Sequence, residues 1–287
     1  MSKGHNLNPS DRFHFKIVAP FRADVPQTLG RVSVDKRTHR DLVFGTQLLR
    51  GNVYRECGPI AMQLLADGRH YQAIDAQSWH VLLEDGIGRL VGCARYRPVA
   101  GGFEQLNASQ SAIAHSHRYG PLLRSAIEKQ IAYARNNNMP YCEVGAWALR
   151  PEVRCSTAAV NVALMTYALT LHLGGGIGIT TATRLHHSAS ILRRLGGRRL
   201  ADLPAYYEPK YGSVIEVLYF NSGHLNPRYA DRLEKLRREI EDVPVICAAN
   251  APGAIHEELP AYVPQASYYL GNAPGMQRSQ PPRVAIH

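Results

Sequence analysis

No C-x-x-C pair occurs in the 287 residues, and the five cysteines (Cys57, Cys93, Cys142, Cys155, Cys247) follow no spacing rule. An odd, unpatterned set reads as reduced thiols in a cytoplasmic protein. No uninterrupted apolar span reaches membrane length, and no apolar core follows the basic residues of the N-terminus. Neither a transmembrane segment nor a signal peptide is therefore expected. Acidic residues are few: 23 Asp and Glu against 33 Lys and Arg give a formal charge of +10. That excess suits an acidic partner, whether nucleic acid, a phosphorylated small molecule, an anionic membrane or an acidic protein. The basic residues are scattered, in short runs such as Arg193-Arg194 and Arg198-Arg199, with no lysine-rich tail and no aromatics clustered among them. A nucleic-acid partner is accordingly not expected. No internal repeat is visible, and 45% hydrophobic with 20% charged residues is enough for a full globular core.

What the chain does have is one organising stretch, from Tyr141 to Gly176. Tyr141–Leu149 is apolar enough for a central strand and carries a single carboxylate, Glu143. Arg150-Pro151 interrupts it, since proline has no N–H to give a ladder. Ser156 and Thr157 then offer capping hydroxyls to a helix from Ala158 to Leu173 that is apolar all round and therefore buried; Gly174–Gly176 ends it. Free backbone N–H groups at the helix start, with Arg154 beside them, predict a positive cradle for a phosphate or pyrophosphate.

Around that centre the pattern predicts a helix over 38–57, a strand pair at His80–Glu84 and Leu90–Arg97 closed by Pro98, and a mobile loop over 99–117. A helix over 121–135, a strand at Ile177–Thr183, a short helix at Ser188–Leu195, a strand at Val214–Phe220 and a charged helix over 228–240 complete it. Residues 1–37 read as an irregular arm with one edge strand at Phe13–Val18, 38–222 as the main domain, 223–243 as a C-terminal helical segment and 244–287 as a disordered tail.

This order of elements resembles the GNAT N-acyltransferase fold, an α/β (α+β) architecture with a mixed, mostly antiparallel sheet flanked by helices on both faces. Val91-Gly92-Cys93-Ala94-Arg95-Tyr96-Arg97-Pro98 is similar to the Gly-Cys-x-Arg stretch of acyl-homoserine-lactone autoinducer synthases. Arg50, Tyr54 and Glu56, followed by Asp75, resemble the helix and acidic loop of those enzymes and of long-chain N-acyl amino acid synthases. Gly145-Ala146 stands where the homoserine-lactone synthases carry a Ser-Arg pair, so the N-acyl amino acid synthases are the better comparison. The resemblance implies transfer of an acyl group, long-chain by this comparison, from acyl-carrier protein or acyl-CoA to a small amine. An acyl-phosphopantetheine or acyl-CoA co-substrate would take the place of any permanently bound cofactor. It also implies that the cradle, Val153-Arg154-Cys155-Ser156-Thr157-Ala158, holds the donor, and that backbone N–H groups from Trp147 through Ala148 to Leu149 bind pantetheine and the developing oxyanion. Leu192 occupies the place where many acetyltransferases have a tyrosine that protonates the departing thiolate.

Amide formation from a thioester needs a neutral amine, so a desolvated carboxylate is expected, and Glu143 is the candidate base; its structural alternative is an ion pair with a core arginine such as Arg95. Arg95 is also the candidate for holding an acceptor carboxylate, because an arginine in an apolar strand needs an anion. Cys155 has no recognisable partner base, Tyr206-Tyr207 either packs, lines an acyl tunnel or protonates the thiolate, and His186-His187 with His115 and His117 lack metal-ligand spacing, so no metal is expected. An acetyl-CoA-dependent acetyltransferase and a non-enzymatic basic binding module are the alternatives.

Overall fold

A computed structural model describes residues 13–23, 25–26, 28–55, 63–154 and 156–249. Along the chain run β1 (Phe13–Val18), β2 (Arg31–Val34), α1 (Lys36–Arg55), β3 (Trp79–Asp85), β4 (Leu90–Val99) and α2 (Gly120–Asn136). Next come β5 (Tyr141–Leu149), α3 (Ala158–His172), β6 (Ile177–Thr183), α4 (Ser188–Leu195), β7 (Arg198–Arg199), β8 (Tyr206–Glu208), β9 (Ser213–Asn221), α5 (Ala230–Glu239) and β10 (Pro244–Cys247). The strands form one mixed, mostly antiparallel sheet in the order β2-β10-β1-β3-β4-β5-β6-β9-β7, with β8 also on β9. Parallel pairs occur at β1/β10, β10/β2 and β5/β6.

Alternation along the strands sorts the core into two layers. Leu82 and Cys93 face α1 through Leu42, Val43 and Leu49, while α2 packs Leu123, Ile127 and Ile131 on the same side against Tyr141 and Ile179. Val81, Leu83 and Tyr96 face the opposite way, onto α3 and the Leu233–Leu236 stripe of α5. α3 is buried as its composition requires, with Val162, Leu164, Met165 and Leu169 sealed from solvent.

Several boundaries differ from the sequence expectation. Pro98 does not close its strand; it lies within β4 opposite Cys142. The β3 ladder ends at Trp79–Tyr96, so no N–H is needed from Pro98 on that side. Residues 99–117 are not a mobile loop. Short 3-10 turns at Phe103–Gln105 and Asn107–Gln110 bury Phe103, Leu106, Ala108 and Ile113. β1 is not at an edge, because Pro244–Cys247, expected to open a disordered tail, runs parallel beside it as β10 and carries β2 on its far side. Residues 250–287 lie outside the described residues.

Candidate active site

β5 sits between β4 and β6 but does not match either along its whole length. With β6 it pairs only from Tyr141–Ile177 to Glu143–Ile179, after which the two strands splay apart. With β4 the register slips between Cys93–Ala148 and Arg95–Gly145, so three steps on β5 oppose two on β4. The extra residue is a bulge, and Ala146 takes a left-handed φ of 53° to make it. The bulge inverts the facing of the strand: Cys142 and Val144 point to the α3 side, yet Ala148 points to α1. Beyond Glu143 the β6-facing backbone N–H and C=O groups of β5 have no strand partner among the described residues.

Two cavities open from this splay. The larger, about 260 Å³, is bordered by Val144–Leu149 of β5 and Thr180–Thr183 of β6. It extends toward α1 and the β8–β9 turn, where Tyr54, His70, Arg95, Glu208 and Lys210 line it. The smaller, about 60 Å³, lies between β5, β6 and α3 and shares Val144, Gly145, Trp147, Thr180 and Leu192 with the first.

A buried ion network stands behind the α1 wall. Arg50, fully buried in the middle of α1, clamps Asp75 with Nη1–Oδ1 2.8 Å and Nη2–Oδ2 2.5 Å, and Arg95 Nη1 reaches the same Oδ1 at 2.7 Å. Gln47 Nε2 and the Gln72 backbone N–H complete the set of donors on Oδ2, at 3.1 and 3.2 Å. Burial alone would raise the Asp75 pKa, but hydrogen bonds and charge from Arg50 and the charge of Arg95 hold it well below the usual carboxylate range. His80, whose Nε2 donates to the Asp75 carbonyl at 2.9 Å, is pushed down to about 4, chiefly by burial. Burial and then the Arg50 charge push His70 down to about 3. Both rings are therefore neutral near pH 7. His70 stacks edge-on against Tyr54 at 5.1 Å, and its Nδ1 is buried with no hydrogen-bond partner among the described residues.

Glu143 lies in the cavity wall, paired not with Arg95 but with Arg97 (Nη2–Oε2 3.1 Å), directly opposite it across β4/β5. It also accepts the backbone N–H groups of Asn107 (3.0 Å) and Ala108 (3.1 Å), which ties down the 103–110 turns. Glu208 presents a second carboxylate to the cavity, with Oε2 accepting the Ala112 N–H at 2.8 Å.

Of the residues expected at the donor cradle, Ala148, Leu149 and Arg154 line the larger cavity, and Trp147 lines both. Arg154 Nε also donates to the Leu149 carbonyl at 3.1 Å. Val153 and Ala158 are packed into the core, Ser156 and Thr157 are exposed, and Cys155 lies outside the described residues, as does Glu56. Ser156 Oγ accepts the Ala158 N–H at 3.1 Å, and the first intrahelical bond of α3 is Asn161 N–H to Thr157 O. N–H groups of the first turn thus point out of the helix beside Arg154, with Ala159 in the cavity wall. His70, Glu208 and Lys210 escaped the sequence reading, because all three sit in non-periodic segments that carry no facing information.

No protein-family model matches the sequence, and no curated protein matches it. Solved structures do match. BjaI, a CoA-dependent acyl-homoserine lactone synthase solved with SAM and isopentyl-CoA, aligns with a TM-score of 0.50 at 14% identity, over 84% of this chain and 94% of that one. The AHL synthase LasI aligns at 0.48 and 13% identity, covering 73% and 90%. FeeM, an N-acyl amino acid synthase from uncultured soil microbes, aligns at 0.46 and 12%, covering 74% and 91%. The chain has a GNAT-like fold. Within it β5 is the central strand that splays from β6, and α3 and α1 lie on opposite faces of the sheet.

Proposed function

We propose that the protein is an N-acyltransferase that moves an acyl group from an acyl thioester, carried by CoA or acyl-carrier protein, to the amine of an amino acid or similar small molecule. One observation carries the reading. A bulged strand whose β6-facing groups lack a strand partner among the described residues opens onto two adjoining cavities, one bordered by charged side chains and the other apolar. A thioester needs that arrangement: donors for its carbonyl oxygen, a dry slot for the acyl chain and a polar chamber for the attacking amine.

The pantetheine arm would lie along Ala148 and Leu149, its phosphates toward Arg154 and the first turn of α3, and its carbonyl at the Gly145–Trp147 bulge. The acyl chain would enter the smaller cavity. Of the charged side chains that line the larger cavity, Arg95, Arg154 and Lys210 stand against Glu143 and Glu208, a surplus of one positive charge that favours an acceptor bearing a carboxylate. Arg95 and Lys210 would hold that carboxylate. Of the two cavity carboxylates, Glu208 suits the general base, since a single backbone N–H engages it. The Arg97 ion pair and the two backbone N–H groups that engage Glu143 suit it to positioning the 103–110 turns rather than to proton transfer. With Leu192 in place of a tyrosine, Tyr206, whose buried hydroxyl lines the same cavity, is the nearer donor for the departing thiolate.

Incubation with acyl-CoA and acyl-carrier-protein donors against a panel of amines, read by mass spectrometry, tests the proposal. Amide formation on amino acids is expected, with Lys210→Met raising the acceptor KM about tenfold and Glu208→Gln lowering kcat by about 10²–10⁴. No transfer in any pairing overturns the reading, and a strict preference for acetyl-CoA over longer donors selects the acetyltransferase alternative.

A further inference from the structure

The smaller cavity is apolar where Ala94, Val144, Ala163, Leu192 and Phe220 line it, yet two of its side chains end in polar atoms with nothing to bind. Trp147 Nε1 and the Tyr167 hydroxyl are both closed off from solvent, and neither has a hydrogen-bond partner among the described residues. Three other polar side chains in the lining are engaged within the protein. Thr166 Oγ1 donates to the Val162 carbonyl at 2.9 Å and Thr170 Oγ1 to the Thr166 carbonyl at 2.8 Å, each back-bonding within α3. Ser222 Oγ accepts the Gly176 N–H at 2.9 Å.

An indole N–H is a donor and nothing else. Burial raises the Tyr167 pKa, so that hydroxyl keeps its proton and can donate as well. Its ring is fixed edge-on against Phe220 at 5.7 Å, which limits where the hydroxyl can go. A fully saturated chain filling the slot would leave both donors facing hydrocarbon, with neither hydrogen bond made.

We propose that the transferred acyl group carries an oxygen along its length, a keto, hydroxyl or phenolic oxygen, that accepts hydrogen bonds from Trp147 and Tyr167; this rests on the acyltransferase reading of the cleft. Trp147 borders both cavities and Tyr167 only the inner one, so the two donors mark a path leading inward from the reacting carbonyl. Specificity of this kind works by satisfaction of stranded groups. A donor lacking the oxygen leaves both groups unpaired, whereas an oxygenated donor supplies the acceptor they lack.

Matched CoA thioesters test this in the full chain: decanoyl against 3-oxodecanoyl and 3-hydroxydecanoyl, and 3-phenylpropanoyl against 3-(4-hydroxyphenyl)propanoyl, each with the same amino-acid acceptor. At least one oxygenated donor should exceed its plain counterpart in kcat/KM by about tenfold, the worth of one net hydrogen bond. Tyr167→Phe or Trp147→Phe should bring that ratio toward one. Ratios near one for every pair in the unaltered protein overturn the proposal while leaving acyl transfer standing. A preference that survives both substitutions overturns the assignment to these two side chains. Absence of transfer from every donor tells instead against the acyltransferase reading beneath it.

Discussion

Asp75 neutralises one of the two arginines it touches and shares itself between both, while the histidines around it are held neutral. Removing its charge would strand Arg50 at full burial and Arg95 at the cavity wall. Asp75→Asn should therefore destabilise the fold by about 3–5 kcal/mol, as for other broken buried pairs, measured by denaturant unfolding. Arg50, Asp75 and Arg95 stood out in the sequence through family resemblance; that the three form one buried ion network was not legible there. Arg95 and Arg97 lie two apart on β4, so both face the α1 side, and only the cross-strand register decides which meets Glu143. That register depends on the bulge, which no local pattern announces.

At the level of elements, the strand, turn and helix from Tyr141 to His172 were readable because each carries its own signal: an apolar run, a proline and an all-round apolar helix. β2 was not, since all four of its residues are exposed and show no alternation of burial. β5 also stores strain. Ala146 sits at φ 53°, where an L residue is disfavoured and glycine is not. Ala146→Gly should raise stability by about 1 kcal/mol, seen as a rise in Tm of about 2–4 °C, if the bulge persists. Gly178 marks the opposite constraint. A Cβ there would run into the Cys142 sulfur and lie 2.6 Å from its carbonyl oxygen, so the closed end of the β5/β6 splay requires the absence of a side chain.

Across the whole molecule, acid should act early. His80 and His70 have folded-state pKa values of about 4 and about 3, below the ordinary 6.5, whereas in the unfolded chain they take up protons as soon as the pH drops through 6.5. Stability is thus full above about pH 6.5 and is lost as the pH falls toward 4, by roughly 3 kcal/mol for His80 alone; Asp75 adds its own loss below about pH 4. Chemical denaturation at pH 7.5, 6, 5 and 4.5 should record a falling midpoint before most carboxylates titrate. The sheet holds a further consequence in the placing of β10. Ile17 pairs with Val245, and Val32 meets Val245 from the other side, so the last described strand is wedged between the first two. During synthesis the growing chain must carry β1 with one bare flank, and β2 without its neighbour, until residues near 247 leave the ribosome. The β3–β9 part of the sheet can assemble before that; the margin that shields it from pairing with other chains is the last of the described strands to arrive.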